Sequence, residues 1–496
     1  MIRAGVLTVA RAVLLAGAAA LAFFAGGYFT EAQTWAGLAV WLLVAVALVL
    51  EPGSLPRSRT VWVAIGGLVL FGAWSLLSIT WAPIAGDAYH AGQLVILYAG
   101  ALFAATLLLR SPAAQRFVEP ALAAGTVIVI GYGLSERLLP GLLNFARSVS
   151  AEGRLEQPLT YWNAMGELAA LGFVLCAAVA GDRTRPRALR TAAAAAVPLL
   201  GVGLYVSFSR GALFSAAAGL VALVVIVRRR EQLWAVVRAV AFGALAALSA
   251  APFGGVTNLS GSLGTREREG AIALVLLVVI TVLAALAQLF LSRREAGGEL
   301  VLPRRSPLIA AAVIVAGLAL AIVVGAHETS ATSTFLPGGA TRLTSLQSNR
   351  YDYWSVALRA FGTQPLHGVG AGGWSVYWLR WRTIIEGAQD AHSLELQTLA
   401  ELGLVGLGLL LAFISGIALA AARTLRAAVP PAAAIAALVA YLAHSPLDWD
   451  WQMPAVTLVA IVLAGKVLAI ASDYSSSAIR GASRRKIQTA NRHTTT

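Results

Sequence analysis

Long apolar runs separated by short polar segments dominate this chain. A helix needs about 20 predominantly apolar residues to cross the hydrocarbon core of a bilayer. Most runs reach or approach that length, so the pattern predicts an all-α, polytopic integral membrane protein with about 12–14 transmembrane helices. Fourteen runs can be distinguished, at roughly 6–25, 35–50, 61–79, 92–109, 119–134, 163–180, 192–207, 211–227, 233–251, 271–291, 307–325, 394–422, 430–445 and 453–471.

The basic residues predict the orientation. With the N-terminus in the cytoplasm, 26 of the 37 Lys and Arg residues fall in cytoplasmic segments, as the positive-inside rule requires. Arg3 and Arg11 before an Ala-rich run resemble a signal peptide, but the many later spans favour a retained signal anchor. Both termini are then expected in the cytoplasm.

The pattern divides the chain into four parts. Residues 1–325 form an N-terminal transmembrane bundle of about 11 spans, 326–393 a large external loop, 394–471 the C-terminal transmembrane helices, and 472–496 a disordered cytoplasmic tail. Outer loops are also expected at 135–162 and 252–270. The 68-residue loop is unusually long and rich in aromatic residues, and segments 349–361 and 374–385 read as amphipathic helices that roof the bundle.

Composition supports the membrane class and excludes others. The chain is 58% hydrophobic and 12% charged, with a mean hydropathy of +0.77, whereas soluble domains carry about 25% charged residues. The basic residues behind the net charge of +14 lie mainly in short loops on one side, so no nucleic-acid partner is expected. Cys176 is the only cysteine, which excludes an internal disulfide and a cysteine-rich zinc site.

No metal or cofactor is expected either. The six histidines are scattered along the chain. Asp448 and Asp450 form a D-x-D pair, but a metal ion would need further oxygen ligands that the sequence does not offer nearby. The pair is therefore interpreted as a structural or acceptor-side feature.

The stretch from Asp390 to Gly406 carries the most informative pattern. His392 and Ser393 end a polar loop, and a long apolar helix begins after them. Ser393 can cap this helix, and Glu395 places negative charge in its first turn. Histidine can accept a proton near neutral pH, which suits a general base. The alternative is an interfacial histidine that makes a single hydrogen bond.

Two outer arginines are the candidate anion-binding groups. Arg210 lies in the tight hairpin S-F-S-R-G between two spans, where a charge normally has a partner or a task. Arg350 opens the first loop helix in N-R-Y-D-Y-W. The alternatives are a snorkelling Arg210 that reaches lipid headgroups, and an Arg350 that is solvated or paired with Asp352.

Several motifs together resemble one protein family. His392-Ser393, nine residues, then Gly403-x-x-Gly406 gives H-[NS]-x9-G-x-x-G, which resembles the O-antigen ligase and O-antigen polymerase family of bacterial membrane glycosyltransferases. The S-x-S-R-G hairpin, an R-x3-W pair, a P-L-x-G-x-G turn within 364–373, and the segments 154–164 and 444–454 are similar to further family motifs. The resemblance extends from about residue 154 to 454, and fourteen spans exceed the roughly dozen usual in the family.

The resemblance implies a fold, a reaction and a site. It implies a GT-C-type enzyme of the bacterial cytoplasmic (inner) membrane whose active site faces the periplasm or exterior. Such an enzyme moves a glycan from an undecaprenyl-diphosphate-linked donor to a hydroxyl of a glycan, lipid or protein acceptor, by metal-independent inverting transfer. His392 is then the base, and Arg210 and Arg350 bind the diphosphate in bidentate fashion. The other expected substrate-binding residues are Arg154, Asn163, Arg266, His444 and Asp448.

Two alternatives stay open. A polymerase uses the same donor, and the motifs do not separate it from a ligase. A transporter of polysaccharide or lipid-linked glycan would place ionisable groups near the membrane midplane, often in repeated halves. Glu167 is the only acidic residue clearly near a span interior, and no repeat is visible. The sequence therefore favours an enzyme over a transporter.

Overall fold

The computed structural model describes residues 2–294, 298–303, 349–426 and 430–472, with isolated positions between 305 and 316. Three expectations lie outside the described residues: the span at 307–325, the first part of the external loop up to residue 348, and the disordered tail. Within the described residues the protein is all-α, apart from one isolated bridge between Arg229 and Glu299.

Twelve of the described helices are long and apolar enough to span a membrane. This confirms a polytopic membrane protein. The spans are α1 (Ile2–Ala22), α2 (Thr30–Leu50), α3 (Arg59–Leu77), α4 (Ala85–Leu108), α5 (Pro112–Leu138), α6 (Trp162–Gly181), α7 (Arg187–Val206), α8 (Arg210–Val227), α9 (Arg230–Ala250), α10 (Leu263–Arg294), α13 (Leu394–Thr424) and α15 (Pro454–Ser472). The shorter helices are α11 (Arg350–Thr363), α12 (Trp374–Trp381) and α14 (Ala432–His444).

The apolar run predicted at 430–445 forms a helix too short to be a full span. α14 has 13 residues, about 20 Å at 1.5 Å per residue, against a hydrocarbon core of about 30 Å. It packs against α6 and α8, and ten of its 13 residues are buried. Hydropathy alone could not distinguish this buried core helix from a span.

The bundle has two chemically different ends. At one, the basic end, Arg11 pairs with Glu51 at 3.2 Å, Lys466 pairs with Glu119, and Arg423 donates to hydroxyl groups at the start of α3. The opposite end, the loop end, collects the connections at 23–29, 78–84, 139–161, 207–209, 251–262, 364–393 and 445–453. Segments far apart in sequence meet there, as where the Tyr28 hydroxyl donates to Gln389 Oε1 at 2.9 Å.

The helix α13 begins as predicted and then breaks. Its N-cap is Ser393, whose Oγ accepts from the Leu396 N–H. At Gly403 the backbone turns to φ 64°, ψ −162°, a conformation that is essentially restricted to glycine. The break frees backbone groups of α13 for pairing with another segment.

The Gly-rich turn at 364–370 occupies that break. Val369 and Gly370 donate their N–H groups to the carbonyls of Ala400 and Glu401. In return, the N–H groups of Leu404 and Val405 donate to the carbonyls of residues 365 and 366. The sequence predicts that Gly403 allows close packing against a neighbouring helix; its close neighbour is this turn, because a Cβ at Gly403 would lie 2.4 Å from the Leu366 carbonyl oxygen.

The described part of the long loop predicted at 326–393 has a hydrophobic core of its own. The predicted helices at 349–361 and 374–385 are confirmed as α11 and α12, although α12 ends four residues early. Trp374 and Trp378 are fully buried and stack with ring centroids 5.5 Å apart. They pack with Tyr353 and Ala400, so α11 and α12 are fixed on the first turns of α13.

Candidate functional site

His392 lies at the loop end, immediately before the N-cap of α13. Its backbone is left-handed, with φ 52°, and its side chain is half-buried. Nδ1 lies 2.9 Å from the Asp390 carbonyl oxygen. A carbonyl oxygen can only accept, so Nδ1 carries the hydrogen and Nε2 holds the lone pair of the neutral ring. No described residue hydrogen-bonds to Nε2, so this nitrogen can act as a base.

Aromatic rings from separate elements enclose His392. The Tyr353 ring lies 4.9 Å from the imidazole at 31°, and the Trp449 ring lies 6.1 Å away. Trp449 in turn packs against Tyr161 at 4.6 Å and Tyr28 at 5.5 Å. The imidazole is therefore held in place by α11 and by the segment that follows α14.

Two hydrogen bonds from the Gln397 side chain fix the backbone just before His392. Gln397 donates through Nε2 to Asp390 Oδ1 at 2.9 Å, and its Oε1 accepts from the Ala391 N–H at 3.3 Å. One turn further along α13, Glu401 Oε1 accepts from the Trp374 N–H. Burial raises the pKa of Asp390 above its ordinary value. The first two turns of α13 therefore hold both the histidine loop and α12.

Arg350, the first residue of α11, forms an ion pair with Asp448. Arg350 Nη2 lies 2.5 Å from Asp448 Oδ2. Asp448 Oδ1 accepts from the Tyr161 hydroxyl at 2.6 Å and from the Trp449 N–H at 2.9 Å. Burial alone would raise the pKa of Asp448, but the Arg350 charge and the Tyr161 hydrogen bond bring it below its ordinary value. Asp448 is therefore ionised and fixes the guanidinium.

Arg350 and His392 are brought together by this arrangement. Tyr353 is three residues after Arg350, so both lie on the same face of α11, and Tyr353 packs on the imidazole. From the other side, Asp448 binds Arg350 while the adjacent Trp449 contacts His392. Among the described residues, the ion pair of Arg350 is with Asp448 rather than with Asp352, whose Oδ1 accepts from the Thr383 hydroxyl.

Asn163 joins the same network from the start of α6. Its Nδ2 donates to the Tyr161 hydroxyl at 2.7 Å. That hydroxyl donates to Asp448. Asn163 is therefore linked to Asp448 through the Tyr161 hydroxyl, and to Arg350 only through Asp448.

His444, at the end of α14, lies behind the site in the buried core. Its side chain is fully buried, its Nδ1 bonds to Asp450, and Glu167 Oε2 lies 4.0 Å away. A Cβ added at Gly211 would lie 2.7 Å from His444 Nε2. His444 was predicted to bind substrate. The structure instead places it in a closed cluster with Asp450 and Glu167, which packs against the start of α8.

Arg210 is the first residue of α8 and adjoins this cluster. Ser209 caps the helix, with its Oγ accepting from the Ala212 N–H at 3.3 Å. Gly211, the neighbour of Arg210 on α8, packs on His444. Arg350, on α11, binds Asp448. The two arginines therefore border the segment 444–450 from different helices. Both remain candidates for binding one anionic group.

The last two predicted residues lie further from His392. The Arg154 guanidinium stacks 3.7 Å over the Trp162 ring and donates to carbonyls of its own loop. Trp162 packs on Tyr161 at 5.0 Å, so Arg154 ends an aromatic row that leads to the site. Arg266, in the first turn of α10, lies 3.7 Å from Glu136 Oε1, a residue that does not belong to that row.

In the part of the chain that the structure describes, no group of three or more His, Cys, Asp or Glu side chains is placed to hold a metal ion. Asp448 and Asp450, the predicted D-x-D pair, point to different partners: Arg350 and His444. Each carboxylate therefore has an ionic partner, and the two partners differ.

One comparison with known families bears on the assignment. The family model described as O-antigen ligase matches residues 253–411. This match, over about a third of the chain, supports an assignment to the O-antigen ligase and polymerase family. The matched segment includes Arg266, Arg350 and His392, whereas the other predicted site residues lie outside it. No curated protein matches the chain. For this multi-pass membrane protein, the match supports a glycosyltransferase-like activity in polysaccharide biosynthesis, of ligase or polymerase kind.

The sequence reading passed over three groups that the structure places at His392. Tyr353 was visible only as one of many aromatic residues, although its i+3 spacing from Arg350 would have placed both on one helical face. Trp449 lies between the two aspartates, and no spacing or motif in the sequence connects it to His392. Gln397 and Glu401 are four residues apart at the start of α13, a spacing that indicates a shared polar face.

Proposed function

We propose that the loop end transfers a glycan from an undecaprenyl-diphosphate-linked donor to an acceptor hydroxyl, with His392 as the general base. The observation that carries this proposal is the packing of the His392 imidazole between Tyr353, on the helix that Arg350 begins, and Trp449, which follows Asp448 in sequence. An imidazole with an available lone pair beside a fixed guanidinium can deprotonate a hydroxyl and stabilise an anionic leaving group.

The reaction is a single displacement. His392 Nε2 takes the proton from the acceptor hydroxyl as its oxygen attacks the anomeric carbon of the donor glycan. The bond between that carbon and the diphosphate oxygen breaks, and the electron pair leaves with the diphosphate. This displacement inverts the anomeric configuration and needs no carboxylate nucleophile.

Arg350 and Arg210 bind the diphosphate in this proposal. Guanidinium groups fit phosphate oxygens in a bidentate fork and stay charged when desolvated. Asp448 holds Arg350 in position, and the conformation of the 444–450 segment determines how the two arginines approach one another. The leaving diphosphate gains negative charge, so fixed cations there favour the transition state over the bound donor.

The distribution of charge supports an outward-facing site. The basic end collects the cytoplasmic arginines predicted from the sequence, and the loop end carries His392. With the basic end in the cytoplasm, transfer takes place on the periplasmic or exterior side of the inner membrane.

Purified protein in detergent provides the test. Incubated with an undecaprenyl-diphosphate-linked glycan and an acceptor that carries a hydroxyl, it should form a product in which the glycan is joined to the acceptor, with release of undecaprenyl diphosphate. A transporter would form no product in detergent, because transport only moves a substrate between two compartments. Release without metal, in the presence of a chelator, is also expected; a strict metal requirement would contradict the proposed chemistry.

The acceptor decides between the two family activities. A ligase transfers the glycan to a glycolipid or protein hydroxyl, whereas a polymerase extends a second lipid-linked glycan. Supplying each acceptor separately, with the same donor, distinguishes the activities by the size and lipid content of the product.

A further inference from the structure

A cluster of buried ionisable side chains lies beside the candidate site, and the proposed reaction does not use it. Its members are His444, Asp450 and Glu167, all of them buried. His444 Nδ1 bonds to Asp450 Oδ2, and Glu167 Oε2 lies 4.0 Å from the same nitrogen. Breaking such a pair leaves a buried charge without compensation, so the side chains of residues 444 and 450 are firmly joined.

The bond between these two side chains closes the segment 444–450 into a loop, called here the 444–450 loop. Inside it, the Leu447 N–H donates to the His444 carbonyl at 2.8 Å. The Asp450 carbonyl accepts from Thr457 Oγ1 at 2.7 Å, which ties the closed loop to α15. The residues between 444 and 450 therefore have little freedom to move.

Two consecutive residues of the 444–450 loop hold the two groups of the proposed chemistry. Asp448 binds Arg350 at 2.5 Å. The ring of Trp449 lies 6.1 Å from the His392 imidazole. A shift of the loop would therefore displace the guanidinium and the imidazole together.

Ser445 connects the 444–450 loop to the start of α13. Its carbonyl accepts from the Leu394 N–H at 3.0 Å, and its hydroxyl donates to Glu395 Oε1 at 2.8 Å. Leu394 is two residues after His392. The loop therefore also fixes the backbone on the C-terminal side of the imidazole.

The first turns of α6 hold the 444–450 loop at two points. Glu167 lies near His444 and is four residues after Asn163, so both α6 side chains share one face of the helix. Asn163 donates to the Tyr161 hydroxyl, which donates to Asp448. The helix thus contacts the loop at its closing bond and at the carboxylate that binds the guanidinium.

We propose that Asp450 is a positioning residue for the transfer reaction. Its bond to His444 closes the 444–450 loop, and the closed loop sets the distance between the guanidinium and the imidazole of the site. Asp450 acts through Asp448 and Trp449 and needs no contact with a substrate. The inference rests on the proposed function, because it takes the roles of the guanidinium and the imidazole from it.

Three variants separate this role from a general contribution to stability. Asp450→Ala opens the loop, and kcat should fall by about 100-fold, the scale that a 1 Å misplacement of reacting groups can reach. Asp450→Asn keeps an oxygen that can accept from Nδ1–H, so it should lose less. Gln232→Met is the control, because it removes a buried hydrogen bond to the Ala177 carbonyl at the basic end and should keep the wild-type kcat.

Transfer at the wild-type rate by Asp450→Ala would overturn the inference and leave the proposed function standing. If Asp450→Ala yields no folded protein, Asp450→Asn carries the comparison. A neutral acceptor makes a weaker hydrogen bond than a carboxylate, so its kcat should still fall below that of Gln232→Met. Equal values in these two variants would then overturn the inference.

A double variant shows whether Asp450 acts through the site. Asp450→Ala combined with Arg350→Lys should lose less transfer than the product of the two single losses, because groups that act as a unit are non-additive. Losses that multiply fully would show that the two residues act independently and would refute the positioning role.

Hydrogen–deuterium exchange followed by mass spectrometry tests the 444–450 loop without any transfer assay. In Asp450→Ala, exchange should rise in the peptides that contain Arg350 and Leu394 as well as in the loop, and stay at the wild-type level at the basic end. A rise confined to the loop would refute the inference, whatever happens to transfer. The expected rise, in a protein whose wild type transfers no glycan, would refute the proposed function and retain the loop as the element that fixes these peptides.

Discussion

At the residue scale, Arg350 depends on a partner that lies almost one hundred positions away. Asp448 binds its guanidinium at 2.5 Å and is itself fixed by Tyr161 and the backbone of Trp449. A buried carboxylate held this firmly gives the arginine one orientation. The geometry of the fork, as well as its charge, therefore matters to the proposed diphosphate site.

Replacement of Arg350 by lysine tests that geometry. Arg350→Lys keeps the charge but loses the planar fork, so transfer should fall by at least about tenfold while expression stays normal. Arg359→Lys is the matched control, because Arg359 is exposed on the same helix and stacks on Trp381. Equal transfer rates in the two variants would contradict a phosphate-binding role for Arg350.

Gly211 allows α8 to pack closely against His444. Its Cα faces His444 Nε2, and His444 cannot withdraw because Asp450 binds its other nitrogen. Gly211→Ala should therefore overpack this contact and destabilise the protein by about 1–3 kcal/mol, measured by thermal unfolding in detergent. Gly66→Ala adds a Cβ where nothing lies within 4 Å; if it lowers stability as much, the contact with His444 is not the cause.

At the scale of the elements, two sequence motifs prove to be halves of one structure. The G-x-x-G of α13 and the turn at 364–370 pair through four backbone hydrogen bonds across the break at Gly403. Each motif was visible in the sequence, but their pairing was not. Hydropathy cannot report a positive φ inside a long apolar run, so the run predicted a continuous helix.

Gly403→Ala should disrupt this unit. An alanine at φ 64°, ψ −162° is strained by about 1–3 kcal/mol, and its Cβ would also meet the Leu366 carbonyl oxygen at 2.4 Å. We expect a lower yield of folded protein and a lower unfolding temperature. Gly408→Ala, on the same helix with nothing within 4 Å, should behave as the wild type; similar losses in both would show that α13 tolerates no added methyl group.

At the scale of the whole molecule, the sequence predicted the spans better than the site. A span requires only a long enough run of apolar residues, which hydropathy detects directly. Twelve of the predicted runs accordingly correspond to described helices of spanning length. The site instead depends on contacts between remote positions, such as Tyr28 with Gln389 and Tyr161 with Asp448. Which helices pack against one another determines these contacts. The hydropathy pattern of a single sequence does not say which helices are neighbours.

Orientation is the whole-molecule prediction. In a Cys176→Ala background, single cysteines at Gly387 and Ala188 sit at the loop end and the basic end, both exposed. A membrane-impermeant thiol reagent applied to intact spheroplasts should label Gly387→Cys and spare Ala188→Cys until the membrane is opened. The reverse pattern would place the site in the cytoplasm and invalidate the proposed side of transfer.

The most direct measurement of the central claim is the transfer rate of His392→Gln beside donor binding. Glutamine keeps hydrogen-bonding groups at this position but cannot take the proton, and general-base catalysis is typically worth about 10²–10⁴-fold. Turnover should fall on that scale while donor binding is retained, and His90→Gln, an exposed histidine on α4 at the same end, should keep wild-type turnover. Wild-type turnover by His392→Gln would contradict the account, because the acceptor would then lose its proton to another group.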